Sequence, residues 1–197
     1  MRAVILCIDI KTKRNKKYPD IPRMLIPTKG KTSLERYIEG LKMFDVCLVV
    51  RQSEAQLFEE YKLPLLVEKN PLGSAGIIKK FIDDLGYRFL VICDNAPHNI
   101  DYMEVVTLNQ GTVIMTALDT TEEGSPGVVV RGKDAHVVGF SDRCLVDCGI
   151  YCMYKKATDY IRDGQYQDIC SDLIPRLINN NELYCYEYKN VQNKKGV

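Results

Sequence analysis

Nothing in the 197 residues approaches the uninterrupted apolar run of roughly 20 residues that a membrane-spanning helix needs. The formal net charge is only +1, so no global field points to nucleic acid or to an anionic membrane surface. The opening, MRAVILCIDI, has a short apolar run but no small-residue cleavage site, and reads as a buried strand rather than a signal peptide. The expected location is therefore the cytoplasm. There are eight cysteines but no CxxC pair, and with no secretory signal a disulfide framework is not expected. Cys144, Cys148 and Cys152 fall at intervals of four, which suggests a metal site. His98 and His136 are distant in sequence, however, and packing is the preferred reading, with Cys148 and Cys152 sharing a strand face with Ile150. Linkers rich in Gly, Ser or Pro, internal repeats and low-complexity segments are also missing, so residues 1–197 read as one domain.

What is present is ordinary globular chemistry, 46% hydrophobic and 27% charged, in a chain long enough to bury a full core. Continuous apolar runs at 2–8, 46–50, 65–67 and 88–93 read as buried strands. Between them lie helical patterns. Thr32-Ser33-Leu34-Glu35 fits a capping box, Ser53 fits the cap of a short helix to about Tyr61, and Gly73-Ser74-Ala75-Gly76 opens a helix carrying Ile77, Ile78, Phe81, Ile82 and Leu85. Strands 112–118, 127–131 and 135–140, a strand at CGIYCMY, helices near 155–162 and 168–178, and a closing strand LYCYEY complete the chain. GVVVRGKDAHVVGF is a hairpin. The alternation predicts an α/β fold, three layers α/β/α around a mostly parallel central sheet, with strand 2–8 near its middle. In such sheets ligands bind beyond the carboxyl ends of the strands, so the loops after Ile8, at Glu68 to Gly76 and at Asp94 share one edge.

Six segments, taken in order, resemble the sugar-1-phosphate nucleotidyltransferases. Ile21-Pro22-Arg23-Met24-Leu25-Ile26-Pro27 is similar to the family's P-K-x-L-x-P segment, with Arg23 for the lysine. Asn70-Pro71-Leu72-Gly73-Ser74-Ala75-Gly76 is similar to the loop that receives the base. Val91-Ile92-Cys93-Asp94-Asn95 resembles the V-x-G-D-N strand end. Gly127-Val128-Val129 through Cys144 resembles the hairpin ending in G-F-x-E-K-P, and Asp147-Cys148-Gly149-Ile150-Tyr151 resembles N-x-G-I-Y. DLIPRLINNNELYCYEY resembles the family's last quarter.

The resemblance implies roles. Asp94 would bind Mg²⁺, which bridges phosphate oxygens. Lys13 and Arg23 would steady phosphates, and Glu68, Gly73 and Ser74 would hold the nucleotide. Asp142, Arg143 and Asp147 would face the sugar phosphate. Plainer roles are open to each: a turn aspartate at 94, an N-cap at Ser74, a solvated hairpin edge at 142–147 and a solvated basic loop at 11–17. Two departures fall on the chemistry. The family's Gly-rich phosphate loop should occupy Cys7 to Lys13, which holds no glycine, and Asp9 would repel phosphate. Lys194 stands where the family places a second metal-binding aspartate. The expected function is a divergent nucleotidyltransferase-like protein that binds a nucleotide or nucleotide sugar, with transfer weak or lost. The alternatives are an active enzyme, needing Mg²⁺ and releasing pyrophosphate, and a non-catalytic subunit in a homo- or hetero-oligomer. The chain stops where longer relatives carry dimer-forming or acyl-carrying extensions, and such parts are not expected here.

Overall fold

A computed structural model describes residues 1–8, 18, 21–94, 96–108, 110–120, 127–131, 134–141 and 144–188. The first half alternates as its apolar runs require: β1 (Arg2–Cys7), α1 (Ser33–Gly40), β2 (Asp45–Arg51), β3 (Leu65–Glu68), α2 (Gly73–Lys80), α3 (Ile82–Leu85) and β4 (Arg88–Ile92). Then come α4 (Tyr102–Thr107), β5 (Val113–Thr120), β6 (Gly127–Arg131), β7 (His136–Ser141) and β8 (Cys144–Tyr154). A 3-10 turn Lys155–Tyr160, a π-helical turn Ile169–Leu173, α5 (Ile174–Asn179) and β9 (Leu183–Tyr188) follow.

The strands make one sheet in the order β3-β2-β1-β4-β8-β5-β9-β7-β6. β1 pairs in parallel with β2 and β4, and β2 with β3. β8 runs against β4 and β5, β9 is parallel to β5, and β7 runs against β9 and β6. Only β8 and β7 thus oppose the common direction, and the sheet is mostly parallel. β1 lies inside the parallel block with a strand on each side, third from the β3 edge of the whole sheet.

Strand residues alternate between two separate cores. Val4 and Leu6 of β1 join Ile77, Ile78, Leu173 and Leu177 on one face, while Ala3, Ile5 and Cys7 join Met24, Leu34, Tyr37 and Phe58 on the other. Both faces of β1 are covered, which is why Ala3 to Cys7 are all apolar. Each fully buried Leu or Ile side chain contributes about 1.5–3 kcal/mol by leaving water.

Local details correct several expectations. The capping box at Thr32 and Glu35 is present in full. The helix expected after Ser53 is a 3-10 helix, Ala55–Tyr61, and Glu54, not Ser53, precedes it. The long helix expected from Gly73 breaks at Phe81 (φ −102°, ψ 18°) into α2 and α3. The periodic residues still reach the core, because Phe81 and Ile82 pack against it beside Ile77, Ile78 and Leu85. α4 was not anticipated; its start is Asp101, whose carboxylate accepts from the Met103 and Glu104 amides. Cys152 and Ile150 share a core cluster, but Cys148 is buried outside it. Gly149 takes φ +70°, and the β5–β8 register shifts between Met115 and Ala117, so the strand is irregular there. Cys7, Cys47, Cys93, Cys148, Cys152, Cys170 and Cys185 are free thiols.

Candidate functional site

The register of the parallel block ends its strands in line. Cys7 is opposite Val50, and Arg51 is opposite Glu68. β8 continues past the end of β4, where the Cys93 amide donates to the Gly149 carbonyl at 2.8 Å. The residues just beyond the strands therefore open on one pocket of about 500 Å³, which runs from Glu68 at β3 through Arg51, Ile8 and Asp94 to Asp147 at β8. Its second wall is the start of α2 and the chain from Tyr166 to Ser171.

At the β3 end the geometry is tight. Glu68 is buried, and its Oε1 accepts from the Leu72 amide at 2.9 Å, closing the loop before α2. Arg51 Nε lies 3.9 Å from Glu68 Oε2. Gly73 has φ +72°, and a Cβ there would meet the Gln167 carbonyl oxygen at 2.4 Å, so both backbone angle and space demand glycine. Ser74 does not cap α2; Leu72 precedes the helix without any side-chain cap. The Ser74 hydroxyl instead donates to Asp168 Oδ2 at 2.7 Å and accepts from the Ile169 amide at 2.8 Å. Two amides of the first helical turn, Ala75 and Gly76, donate to the Gln167 carbonyl at 3.0 and 3.2 Å. The first turn is thus satisfied largely by protein rather than left open for an anion.

At the β4 end the arrangement is looser. Asp94 stands one residue beyond Cys93, and its Oδ2 is 3.4 Å from Arg23 Nη1, between side chains 29% and 47% exposed. Arg23 comes from a short 3-10 turn, Arg23–Leu25, anchored by the buried Met24.

At the β8 end a partly buried polar cluster gathers around the buried Tyr151. Asp147 accepts from the Tyr151 hydroxyl, from the Gly149 amide at 2.8 Å and from the Cys170 thiol at 3.2 Å. Burial pushes its pKa up, opposed by those three hydrogen bonds and reinforced by the nearby Asp168 carboxylate. Desolvation of the sulfur and the Asp147 charge push the Cys170 thiol up to about 12, although the residue as a whole is exposed at the pocket rim. Asp168 holds the start of the π-helical turn, accepting from the Cys170 and Ser171 amides at 2.9 and 3.2 Å.

Of the residues singled out in the sequence, Arg23, Glu68, Gly73, Ser74, Asp94 and Asp147 line this one pocket. Lys13, Asp142 and Arg143 lie outside the described residues, as do the basic loop at 11–17 and Lys194. Arg51, Tyr151, Tyr166, Asp168 and Cys170 also line the pocket and were not singled out. Arg51 had one usable signal, a charge ending an apolar strand on the ligand edge. Among the described residues no cluster of three or more His, Cys, Asp or Glu side chains is placed to hold a metal ion. No described helix is long and apolar enough to cross a membrane.

This is the architecture of an α/β nucleotide-sugar-transferase fold. HddC from Yersinia pseudotuberculosis, in a structure complexed with GMP-PN, matches it with a TM-score of 0.80 at 19% identity over 95% of this chain and 90% of that one. The inositol-1-phosphate CTP transferase from T. maritima matches with a TM-score of 0.73 at 14% identity over 94% and 84%. The chain also resembles sugar-1-phosphate nucleotidyltransferases in sequence, as its motifs indicated. It is 27% identical to the UTP–glucose-1-phosphate uridylyltransferase of Synechocystis over 91% of this chain and 56% of that protein, so it spans little more than half of that relative. It is 26% identical to the D-glycero-α-D-manno-heptose 1-phosphate guanylyltransferase of Campylobacter jejuni over 79% of this chain and 76% of that one. No family model matches the chain.

Proposed function

We propose that the pocket binds a nucleotide or nucleotide sugar, and that ordinary nucleotidyl transfer is slow or lost. The observation that carries the binding reading is the pocket itself. It runs across the carboxyl ends of the four parallel strands β3, β2, β1 and β4 to Asp147 in the amino-terminal half of the antiparallel β8, with Arg23 and Asp94 between Glu68 and Asp147. Base, phosphates and sugar then lie in that order along it. Glu68 with Gly73 and Ser74 borders the base, Arg23 and Lys13 steady phosphates, and Asp147 with Asp142 and Arg143 borders the sugar phosphate.

Guanine suits the β3 end. A carboxylate only accepts hydrogen bonds, and guanine presents adjacent ring N–H and amino donors. The Campylobacter relative is a guanylyltransferase, and the Yersinia structure holds GMP-PN.

Mg²⁺ takes one or two carboxylates and completes its shell with phosphate oxygens and water. Asp94 fits that demand, being partly exposed in the pocket. Asp147 and Asp168 are already committed to several protein donors. Bound there, the ion would neutralise charge at the phosphates.

In the active reading, a sugar phosphate oxygen attacks the α-phosphorus and pyrophosphate leaves; the protein's share is positioning and charge neutralisation. Asp94 beside Arg23 favours that reading. Against it stand the glycine-free segment Cys7 to Lys13 and Lys194 in place of an aspartate, each removing part of the apparatus that would hold the triphosphate.

A thermal-shift panel of nucleotides and nucleotide sugars, with and without Mg²⁺, tests the binding reading. A ligand at 100 times its Kd stabilises by about 2.7 kcal/mol. Guanine nucleotides are expected to raise the melting temperature most, with little pyrophosphate released from GTP and sugar 1-phosphates. If nothing in the panel stabilises the protein, the binding reading fails. Robust Mg²⁺-dependent pyrophosphate release, abolished by Asp94→Ala, establishes the enzyme instead.

A further inference from the structure

Eight large apolar side chains are exposed among the described residues, and of these only Tyr166 lines the pocket. It is 63% exposed. Its phenol makes no hydrogen bond and no ring contact with the described residues. Tyr87, exposed elsewhere, at least packs edge-on against Tyr154 at 5.6 Å. A bare aromatic ring in water is unfavourable by its area, and a ring at the rim of a pocket invites a covering partner.

The backbone that presents this ring is held hard. On one side, Gln165 presses its carbonyl against Gly76, where a Cβ would come within 2.7 Å of it. On the other, the Gln167 amide donates to the Leu72 carbonyl at 2.8 Å, and the Gln167 carbonyl takes the Ala75 and Gly76 amides. The Gln167 side chain is buried, with Nε2 on the Arg162 carbonyl at 3.1 Å and Oε1 accepting from Arg176 Nη1 at 2.7 Å. A free ring on a clamped backbone loses little further freedom when a ligand covers it.

We infer that Tyr166 is the stacking platform of the pocket, its ring lying against a ring of the bound nucleotide sugar and setting how tightly that ligand is held. This rests on the binding reading above and adds a residue that none of the motifs contains. The shared chemistry is the face of a flat or CH-rich ring, supplied either by the nucleobase or by the sugar.

Titration calorimetry of wild type, Tyr166→Ala and Tyr166→Phe with GDP, GDP-mannose, UDP and UDP-glucose tests it. The alanine variant is expected to bind the preferred nucleotide sugar about tenfold more weakly, in line with base stacking on aromatic side chains. The phenylalanine variant keeps the ring and is expected to bind within about twofold of wild type, since stacking uses the face and not the hydroxyl. The ligand-free melting temperature of the alanine variant stays put, because the side chain is mostly in water. Equal loss for the diphosphate and its sugar conjugate assigns the ring to the base; loss for the conjugate alone assigns it to the sugar. Either supports the inference. If Tyr166→Ala binds like wild type, or if Tyr166→Phe loses as much as Tyr166→Ala, the platform is wrong. If wild type binds none of the four, the binding reading itself has failed and the platform goes with it.

Discussion

The two ends of the pocket are built on different principles. At the β3 end, the loop before α2 is strapped to the chain at 167–169 by Ser74, by the Gln167 carbonyl and by the Leu72 carbonyl, all at 2.7–3.2 Å. At the β4 end, Arg23 faces Asp94 at 3.4 Å across partly exposed side chains. The first end is pre-organised by partly buried hydrogen bonds; the second is a charge pair in high dielectric, worth under about 1 kcal/mol. The lesson is a division of labour. The β3 end, proposed to take the base, is held by its own hydrogen bonds, and the β4 end, proposed to take phosphates, rests on a weak, partly exposed pair.

The sharpest way to break the contrast is Gly73→Val. The side chain would meet the Gln167 carbonyl and occupy a backbone angle that valine resists, so a loss of about 3 kcal/mol or more is expected in urea unfolding, together with loss of any ligand-induced shift. A loss below about 1 kcal/mol would mean the strap gives way easily. Ser74→Ala is milder. It strips one partner from Asp168 and leaves the buried Ile169 amide unpaired, a cost of about 1–2 kcal/mol by the same measurement.

Asp94→Asn should hardly alter unfolding, within about 0.5 kcal/mol, because the pair it breaks is exposed. What it should remove is the Mg²⁺-dependent part of nucleotide stabilisation, read as the difference in thermal shift with and without the ion. A full Mg²⁺ response in that variant would move the metal away from Asp94.

The smallest effect concerns pH at the β8 end. Asp147 has its folded pKa raised by burial, so the folded state holds its proton more tightly than the unfolded chain. Stability therefore falls as pH rises from the unfolded carboxylate value through the raised one. Asp147→Asn should flatten that part of the stability curve, measured by urea unfolding at pH 4 to 7. An unchanged slope would show that Asp147 titrates normally.

Some of this was readable along the chain because the signals were local. Thr32 and Glu35 sit three residues apart, and their reciprocal capping needs nothing beyond one helical turn. Buried strands announced themselves as apolar runs because both faces of β1 are covered. Asp94 and Gly73 were found because each sits where a strand or helix boundary falls. Other features were illegible for equally physical reasons. The break at Phe81 leaves the apolar period intact, so the pattern alone reads through it. The positive φ of Gly149 and the register shift beside it left no mark in the apolar pattern of CGIYCMY. Arg51, Tyr166 and Asp168 carry no periodic signal.

By itself, then, the order of residues determined the alternation of strands and helices, hence a sheet covered on both faces and loops gathered at the carboxyl ends of its parallel strands. These follow from local burial patterns and from the handedness of the connections. Only the tertiary structure decided what the edge contains. Ser74 and Asp168 are 94 positions apart, yet their side chains meet at 2.7 Å. That pairing depends on how α2 and the π-helical turn pack on one face of the sheet, a long-range arrangement on which no window of sequence reports.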